Sequence, residues 1–426
     1  MKTINTVILI ISIIFISCKK KHENINDTPI FKIRQLISPT SKIKLSKIFQ
    51  NYHLIPLKTN ENCLIGGRRN KIVKHQFCMY ILCQCIFLLL LLLSCEQAQK
   101  NDKKEIERTT AQMQIISDTL ITSMPGNLLI YEHELVWMDA RLGEVHVLNK
   151  DNGSEIKVLS MMGGSPEEAV TPNICWAPNR KLTVFDVNGA KKIQIALDSL
   201  AQDSIIRKKV IPLDKRFQGL ALFSLSNGQD IYVTPDSIQP FILASSDTLC
   251  PFGNYPLKNL ENITNRYSIL QGTVAYNPYT GKLLHSIGQL SYMALYKWND
   301  REFVLEKEKE FSEIDYTVTQ GRMIIRKTPR YAPTAVAITK DYIVSIERDK
   351  ETSPSASGKE KGKQSGRPFS NAPHHIFVYD KNLDVVKIID VNIPIFRIAA
   401  DYQSNWVYVI GVNPEFCIAA FDIKQT

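Results

Sequence analysis

Cysteine is scarce where it could staple a fold. Of nine cysteines in 426 residues, six lie within the first 95, and only Cys175, Cys250 and Cys417 follow. Three distant thiols make no disulfide framework, and no C-x-x-C or Cys/His spacing offers a zinc site. Cys175 in "NICWAP" and Cys417 in "EFCIAAF" therefore read as small core residues. Glycine is also sparse, at 19 residues, and none falls in a P-loop, a G-x-G-x-x-G turn or a G-x-S-x-G elbow. A positive surplus is missing from most of the chain. Of 52 Lys/Arg and 42 Asp/Glu, 14 and 3 lie in residues 1–95, leaving 38 and 39 beyond. Nucleic acid demands clustered positive charge, so it is excluded as a partner for the later chain.

What is present begins with two greasy segments. "MKTINTVILIISIIFISC" (Met1–Cys18) has a lysine, an apolar run and a small residue before a cysteine, the plan of a secretory leader. The run Phe77–Cys95, "FCMYILCQCIFLLLLLLSC", repeats that plan without a nearby charged start. Six consecutive leucines lack the β-branched and aromatic bias of a strand. The run is thus a second leader read from Met79, or a retained span. Both ends resemble the lipobox of bacterial lipoproteins, through Phe15, Ile16, Ser17 and Cys18, and through Leu92, Leu93, Ser94 and Cys95. That resemblance implies lipidation at Cys95 or Cys18 and a membrane held through a lipid anchor. Residues 19–76 include "IFQNYHLIPLKTNENCLIGGRRNKIV", which resembles the opening of another propeller lipoprotein and breaks off without blades. Residues 96–109 read as a polar tether.

From about residue 110, short apolar or alternating runs are punctuated by turns, with no long helical periodicity. "LLIYEHELVWMDARLGEVHVLNKDNGSEIKVL" (Leu128–Leu159) gives three strands, with Asn152–Gly153 read as a type I′ turn. Ile174–Leu197, Gly219–Thr234 and Gly272–Ile287 repeat the form. So do Thr334–Asp349 with His375–Val391, and finally Ile395–Ile423. Six units of this size exceed what two packed sheets hold, whereas radial repetition buries each between two neighbours. The expected fold is all-β: a six-bladed β-propeller of four-stranded antiparallel blades over 110–426, preceded by a non-globular leader region. Closure predicts that Ala111–Ile121 pairs with Phe416–Ile423. The polar insert Lys350–Pro373 reads as a mobile surface loop, either a binding loop or a tolerated insertion.

Three phrases then carry a family resemblance: "GGSPEE" (Gly163–Glu168), "HIFVYDKN" (His375–Asn382) and "RIAADYQSNWVYVIGVNPE" (Arg397–Glu415). They resemble the TolB-like six-bladed β-propeller lipoproteins of Gram-negative envelopes, over roughly residues 110–426. The resemblance implies an outer-membrane lipoprotein of the cell envelope, periplasmic or surface-facing, and brings no catalytic residues.

The chemistry on offer is thin. "YEHE" (Tyr131–Glu134) and "PHH" (Pro373–His375) place their polar groups next to one another, and strand neighbours point to opposite faces. Neither converges on a metal. Asp139, Asp186 and Asp380 follow strand ends and read as turn caps, or as an acidic rim around a channel. The tripeptide Asp-Ser/Thr-aliphatic recurs at Thr119, Ser199, Ser204, Ser237 and Thr248. It resembles an O-glycan acceptor of envelope proteins, and also fits ordinary turn chemistry. The resulting expectation is a non-catalytic scaffold, without cofactor, that binds a protein, peptide or glycan. The rival is a metal-dependent hydrolase or lyase with its site at the channel mouth.

Overall fold

The structure, a computed structural model, describes residues 106–426 other than 119, 187, 201–205, 214–220, 246–247, 258, 327–332 and 348–371. Both expected leaders with Cys18 and Cys95, the 19–76 stretch, and residues 350–371 of the insert lie outside the described residues.

Two short strands come first, β1 (Glu107–Thr110) and β2 (Gln114–Ser117). Blade one follows as β3 (Pro125–Ile130), β4 (Glu134–Asp139), β5 (Glu144–Asn149) and β6 (Glu155–Ser160). Blade two is β7 (Pro172–Ala177), β8 (Lys181–Asp186), β9 (Lys191–Ala196) and β10 (Lys208–Pro212). Blade three is β11 (Ala221–Ser224), β12 (Asp230–Val233), β13 (Phe241–Ala244) and β14 (Leu249–Phe252). After a five-residue helix α1 (Arg266–Leu270), blade four is β15 (Thr273–Asn277), β16 (Lys282–Ile287), β17 (Tyr292–Trp298) and β18 (Phe303–Glu310). A hairpin, β19 (Tyr316–Thr319) and β20 (Arg322–Ile325), precedes blade five. That blade is β21 (Pro333–Ile338), β22 (Ile343–Glu347), β23 (His375–Tyr379) and β24 (Val385–Asp390). Blade six holds β25 (Ile395–Ala400), β26 (Trp406–Val412) and β27 (Phe416–Asp422). The six blades form a propeller ring.

Burial follows from position in the blade. The second strand lies between two sheets, so β4 "ELVWMD" and β22 "IVSIE" are buried at every residue. The outermost strand meets water, so β18 "FVLEKEKE" keeps mostly charged residues outside. Six apolar clusters form the core, and each is the seam between two successive blades. Seam one–two joins Val136 and Val147 to Ile174 and Val184. Seam three–four is rich in aromatics, with Phe241 against Tyr296, Phe223 against Tyr276 and Phe252 against Phe303. Seams four–five and five–six join Leu295 to Tyr379, and Val378 to Val409. Seam six–one packs Phe416, Ile418 and Ala420 against Leu128, Ile130 and Trp137. Seam two–three is the thinnest, with Cys175, Phe185, Leu222 and Tyr232 as its buried apolar residues.

Closure is as predicted. Strand β2 is the fourth strand of blade six and runs antiparallel to β27, with Gln114 opposite Ala420 and Ile115 opposite Ala419. The strand itself is largely exposed, and its flanks anchor it: Ala111 and Leu120 are buried, and Leu120 N donates to Phe416 O. Strand β1 differs from the sequence expectation, because it lies inside the stretch read as a tether. It adds to blade five as a fifth strand, parallel to β24, from Glu107 opposite Lys387 to Thr110 opposite Asp390. An edge strand needs backbone partners more than apolar side chains, so "ERTT" carries no hydrophobic signature.

The Asn152–Gly153 turn also differs. A type I′ turn has positive φ at both central residues, and only Gly153 has it here, at 69°. The connection from Asn149 to Ser154 is longer, and the Asn149 side chain accepts bonds from the Asp151 and Asn152 amides. The two-residue positive-φ pattern falls instead at Asn179 and Arg180, with φ of 59° and 49°, and at Gln320 and Gly321, with 50° and 75°. Cys175 and Cys417 are buried, as their contexts predict, and Cys250 is exposed.

Candidate functional site

The first strand of each blade lines a central channel. All six (β3, β7, β11, β15, β21 and β25) run side by side, so their opening residues form one mouth and their closing residues the other. The channel is a cavity of about 360 Å³. Its polar side chains gather at the upper mouth, where the strands begin: Asn127, Asn173, Gln271, Thr273 and Arg397. Leu129, Val274, Ala275, Ala335 and Ala337 make the walls apolar, and no carboxylate lines the channel among the described residues.

Local backbone geometry sets this mouth. Strands β3, β7 and β21 start with proline, which a strand tolerates at its first residue. Pairing with the second strand then slips between Pro125 and Leu128, between Pro333 and Ala335, and between Ile395 and Arg397. These are β-bulges, and a bulge re-aims the side chains beside it. Asn127 Nδ2 donates to Asn173 Oδ1 at 2.8 Å, joining blades one and two. Arg397 Nε donates to Gly126 O at 3.0 Å, and its Nη1 to Phe396 O at 2.9 Å.

A second cavity, of about 370 Å³, opens at the lower mouth on the turns that follow the first strands. Trp176, Tyr279 and Tyr402 supply its aromatic faces, with Asn179, Arg180, Lys150, Asp401 and Gln403 between them. Trp176 and Tyr402 line both cavities and meet edge to face, with ring centroids 6.0 Å apart. Most of the charges here are paired with one another, while Glu132 has, among the described residues, only exposed His133 beside it. Lys150 Nζ is 3.3 Å from Asp401 Oδ2, and Arg180 bridges Glu134 and, at 2.8 Å, Asp198. Burial raises the phenol pKa of both Tyr131 and Tyr402, so each stays protonated. Tyr131 donates its hydroxyl to Lys181 O at 2.9 Å.

The residues singled out in the sequence are dispersed. In "YEHE", Glu134 is buried against Arg180, while His133 and Glu132 face water 3.7 Å apart. His375 lies on β23, 3.9 Å from Asp390, away from the channel. Asp139 accepts the amides of Arg141 and Leu142 at 2.8 and 2.9 Å. Asp186 accepts those of Val170 and Thr171, and Asp380 those of Asn382 and Asp384. Asp139 and Asp380 are turn caps; Asp186 instead ties its strand end to a segment 15 and 16 residues earlier, and none of the three lines the channel. In "GGSPEE", Ser165 N donates to Glu168, holding that carboxyl below its usual range. Ser199 and Ser237 are half-buried and Thr248 is exposed, each in a turn at a strand end. Thr119 and Ser204 lie outside the described residues, as do Cys18 and Cys95. Among the described residues, no three His, Cys, Asp or Glu side chains stand close enough to share a metal ion.

Sequence reasoning missed Trp176, Tyr402 and Arg397. One signal was available: "IFRIAA" places a guanidinium inside an otherwise apolar innermost strand.

No protein-family model matches the chain, and no curated protein aligns with it. Solved structures do match. An exported protein of Bacteroides fragilis is 10% identical, covers 74% of this chain and 98% of its own, and superposes with a TM-score of 0.46. A gluconolactonase of Xanthomonas campestris is 12% identical over 73% of this chain and 89% of its own, at a TM-score of 0.43. Regucalcin of Agrobacterium tumefaciens, a calcium-binding protein, is 6% identical over 74% and 95%, at 0.45. No helix among the described residues is long and apolar enough to cross a membrane.

Proposed function

We propose that this chain is a lipid-anchored envelope propeller that binds a protein, peptide or glycan at its channel, without catalysing a reaction. One observation carries the reading. Two cavities of about 360 and 370 Å³ meet at Trp176 and Tyr402, with aromatic, amide and guanidinium groups around them. Concave sites with apolar walls and a few placed polar groups are where ligands bind. The rival, a metal-dependent hydrolase or lyase, would draw on a convergent set of carboxylate, imidazole or thiolate donors, and among the described residues no three His, Cys, Asp or Glu side chains stand close enough to share an ion. The anchor rests on the two cysteine-terminated leaders, with Cys95 preferred because a leucine stands three residues before it.

The test is a screen of the mature protein against glycan and peptide arrays, with a Trp176→Ala variant alongside. Saturable binding that the variant loses is the expected result. No binding in either array, together with hydrolysis or elimination dependent on a divalent ion, would overturn the reading. Mass spectrometry of the mature N-terminus tests the anchor, with a diacylglyceryl group on Cys95 the expected finding.

A further inference from the structure

We propose that the upper mouth of the channel is a seat for an acidic sugar, with the ligand's carboxylate held by Arg397. This inference rests on the binding reading above and deepens it.

Among the described residues, Arg397 is the one charged side chain in the channel lining, and no carboxylate pairs with it. The contrast with the lower mouth is direct, since Lys150 and Arg180 each have a counter-charge there. A half-buried guanidinium without an anion is electrostatically unfavourable, and burial presses its pKa downward. Its two protein contacts are backbone carbonyls, Gly126 O and Phe396 O, and both belong to bulged segments of adjoining blades. The fork is thus clamped through Nε and one Nη1 hydrogen, leaving Nη2 without a protein partner and unsealed from the cavity. A clamped guanidinium with free donors suits a carboxylate, which accepts parallel hydrogen bonds from it.

The neighbouring groups decide what carries that carboxylate. Asn127 and Asn173 use one donor–acceptor pair on each other and leave Asn127 Oδ1 and Asn173 Nδ2 to a ligand. Gln271 adds another amide at the rim. Alternating neutral donors and acceptors match hydroxyl groups, each of which gives one bond and takes others. An extended peptide would need a free sheet edge with room for a strand. A cavity of about 360 Å³ enclosed by six strands takes one sugar unit more readily than a strand.

The test is calorimetric titration of the full chain with glucuronate and galacturonate oligomers, the matched neutral oligomers, and acidic peptides. Uronate binding that weakens with added salt is expected, with neutral sugars at least tenfold weaker. Arg397→Gln should bring uronate down to the neutral level. Because Arg397 also ties blades six and one, Asn173→Ala serves as a second variant, and should weaken uronate and neutral sugars alike by several-fold. Uronate and neutral oligomers binding equally, or either variant binding as the parent does, would overturn the acidic-sugar seat while leaving the binding reading intact. Preference for acidic peptides would overturn the sugar assignment. Failure of every ligand class would remove the binding reading itself.

Discussion

The side-chain amide of Asn277, fully buried in blade four, donates to the backbone carbonyl of Tyr402 in blade six at 3.1 Å. The same Nδ2 reaches Thr339 O in blade five at 3.1 Å, and Oδ1 accepts from the amides of Tyr279 and Thr280. One residue therefore fixes the backbone at two aromatic residues of the lower cavity, across three blades. Asn277→Ala leaves several buried backbone groups unsatisfied, at about 1–3 kcal/mol for each one stranded. Urea denaturation should show a loss of about that size or somewhat more. Ligand binding at the lower mouth should weaken even under conditions where the variant remains folded. A variant as stable as the parent would show that water substitutes for the amide.

The thinnest seam contains, between blades two and three, a buried ion pair with both ends nearly sealed. Lys192 Nζ stands 2.5 Å from Asp230 Oδ2, and Ser224 Oγ donates to Asp230 Oδ1 at 2.8 Å. Removing one member leaves a buried charge, so Asp230→Ala should cost about 3–5 kcal/mol. Replacing both, as Lys192→Met with Asp230→Leu, should restore much of that loss, since apolar pairs of similar volume often match a buried ion pair. Denaturant midpoints of the two variants check this. A double variant no better than Asp230→Ala would mean that shape, not charge, governs the seam.

Acid stability has a specific source in seam three–four. His285 on β16 is buried against Phe241 and Tyr255, with ring centroids 5.1 and 5.9 Å away, and its Nδ1 has no hydrogen-bond partner. No charged side chain contacts it, and burial alone lowers its pKa to about 3. The folded state therefore holds the neutral ring while the unfolded chain takes up a proton below pH 6.5. That stabilisation is complete above pH 6.5 and is lost as the pH falls from 6.5 toward 3. At pH 5 the loss is about 2 kcal/mol relative to pH 7. His285→Leu should flatten the fall in stability between pH 7 and 5 by that amount. Equal slopes for the parent and the variant would mean that the ring is protonated in the folded protein.

Blade count and ring closure were legible because they depend on pattern. Strand "ELVWMD" reads as buried wherever it stands, and the apolar residues of "AQMQIISDTLI" suit a strand closing the last blade. The caps at Asp139 and Asp380 were legible for a related reason, since each bonds to amides within four residues of itself. The site was less legible. Arg397 reaches Gly126 across 271 positions, and Asn127 reaches Asn173 across 46. No local periodicity encodes which inner strands become neighbours at the channel, or where a bulge turns a side chain inward.

The order of residues thus determined that short sheets had to stand in a ring, because no other arrangement buries so many half-apolar strands. Only tertiary structure decided that the ring's mouths differ. Around the lower mouth, Lys150 and Arg180 meet carboxylates from other blades; at the upper mouth, among the described residues, a single guanidinium arrives without an anion. The reason is distance. A salt bridge forms or fails within a few ångströms, and such separations between remote residues exist only once the blades have closed.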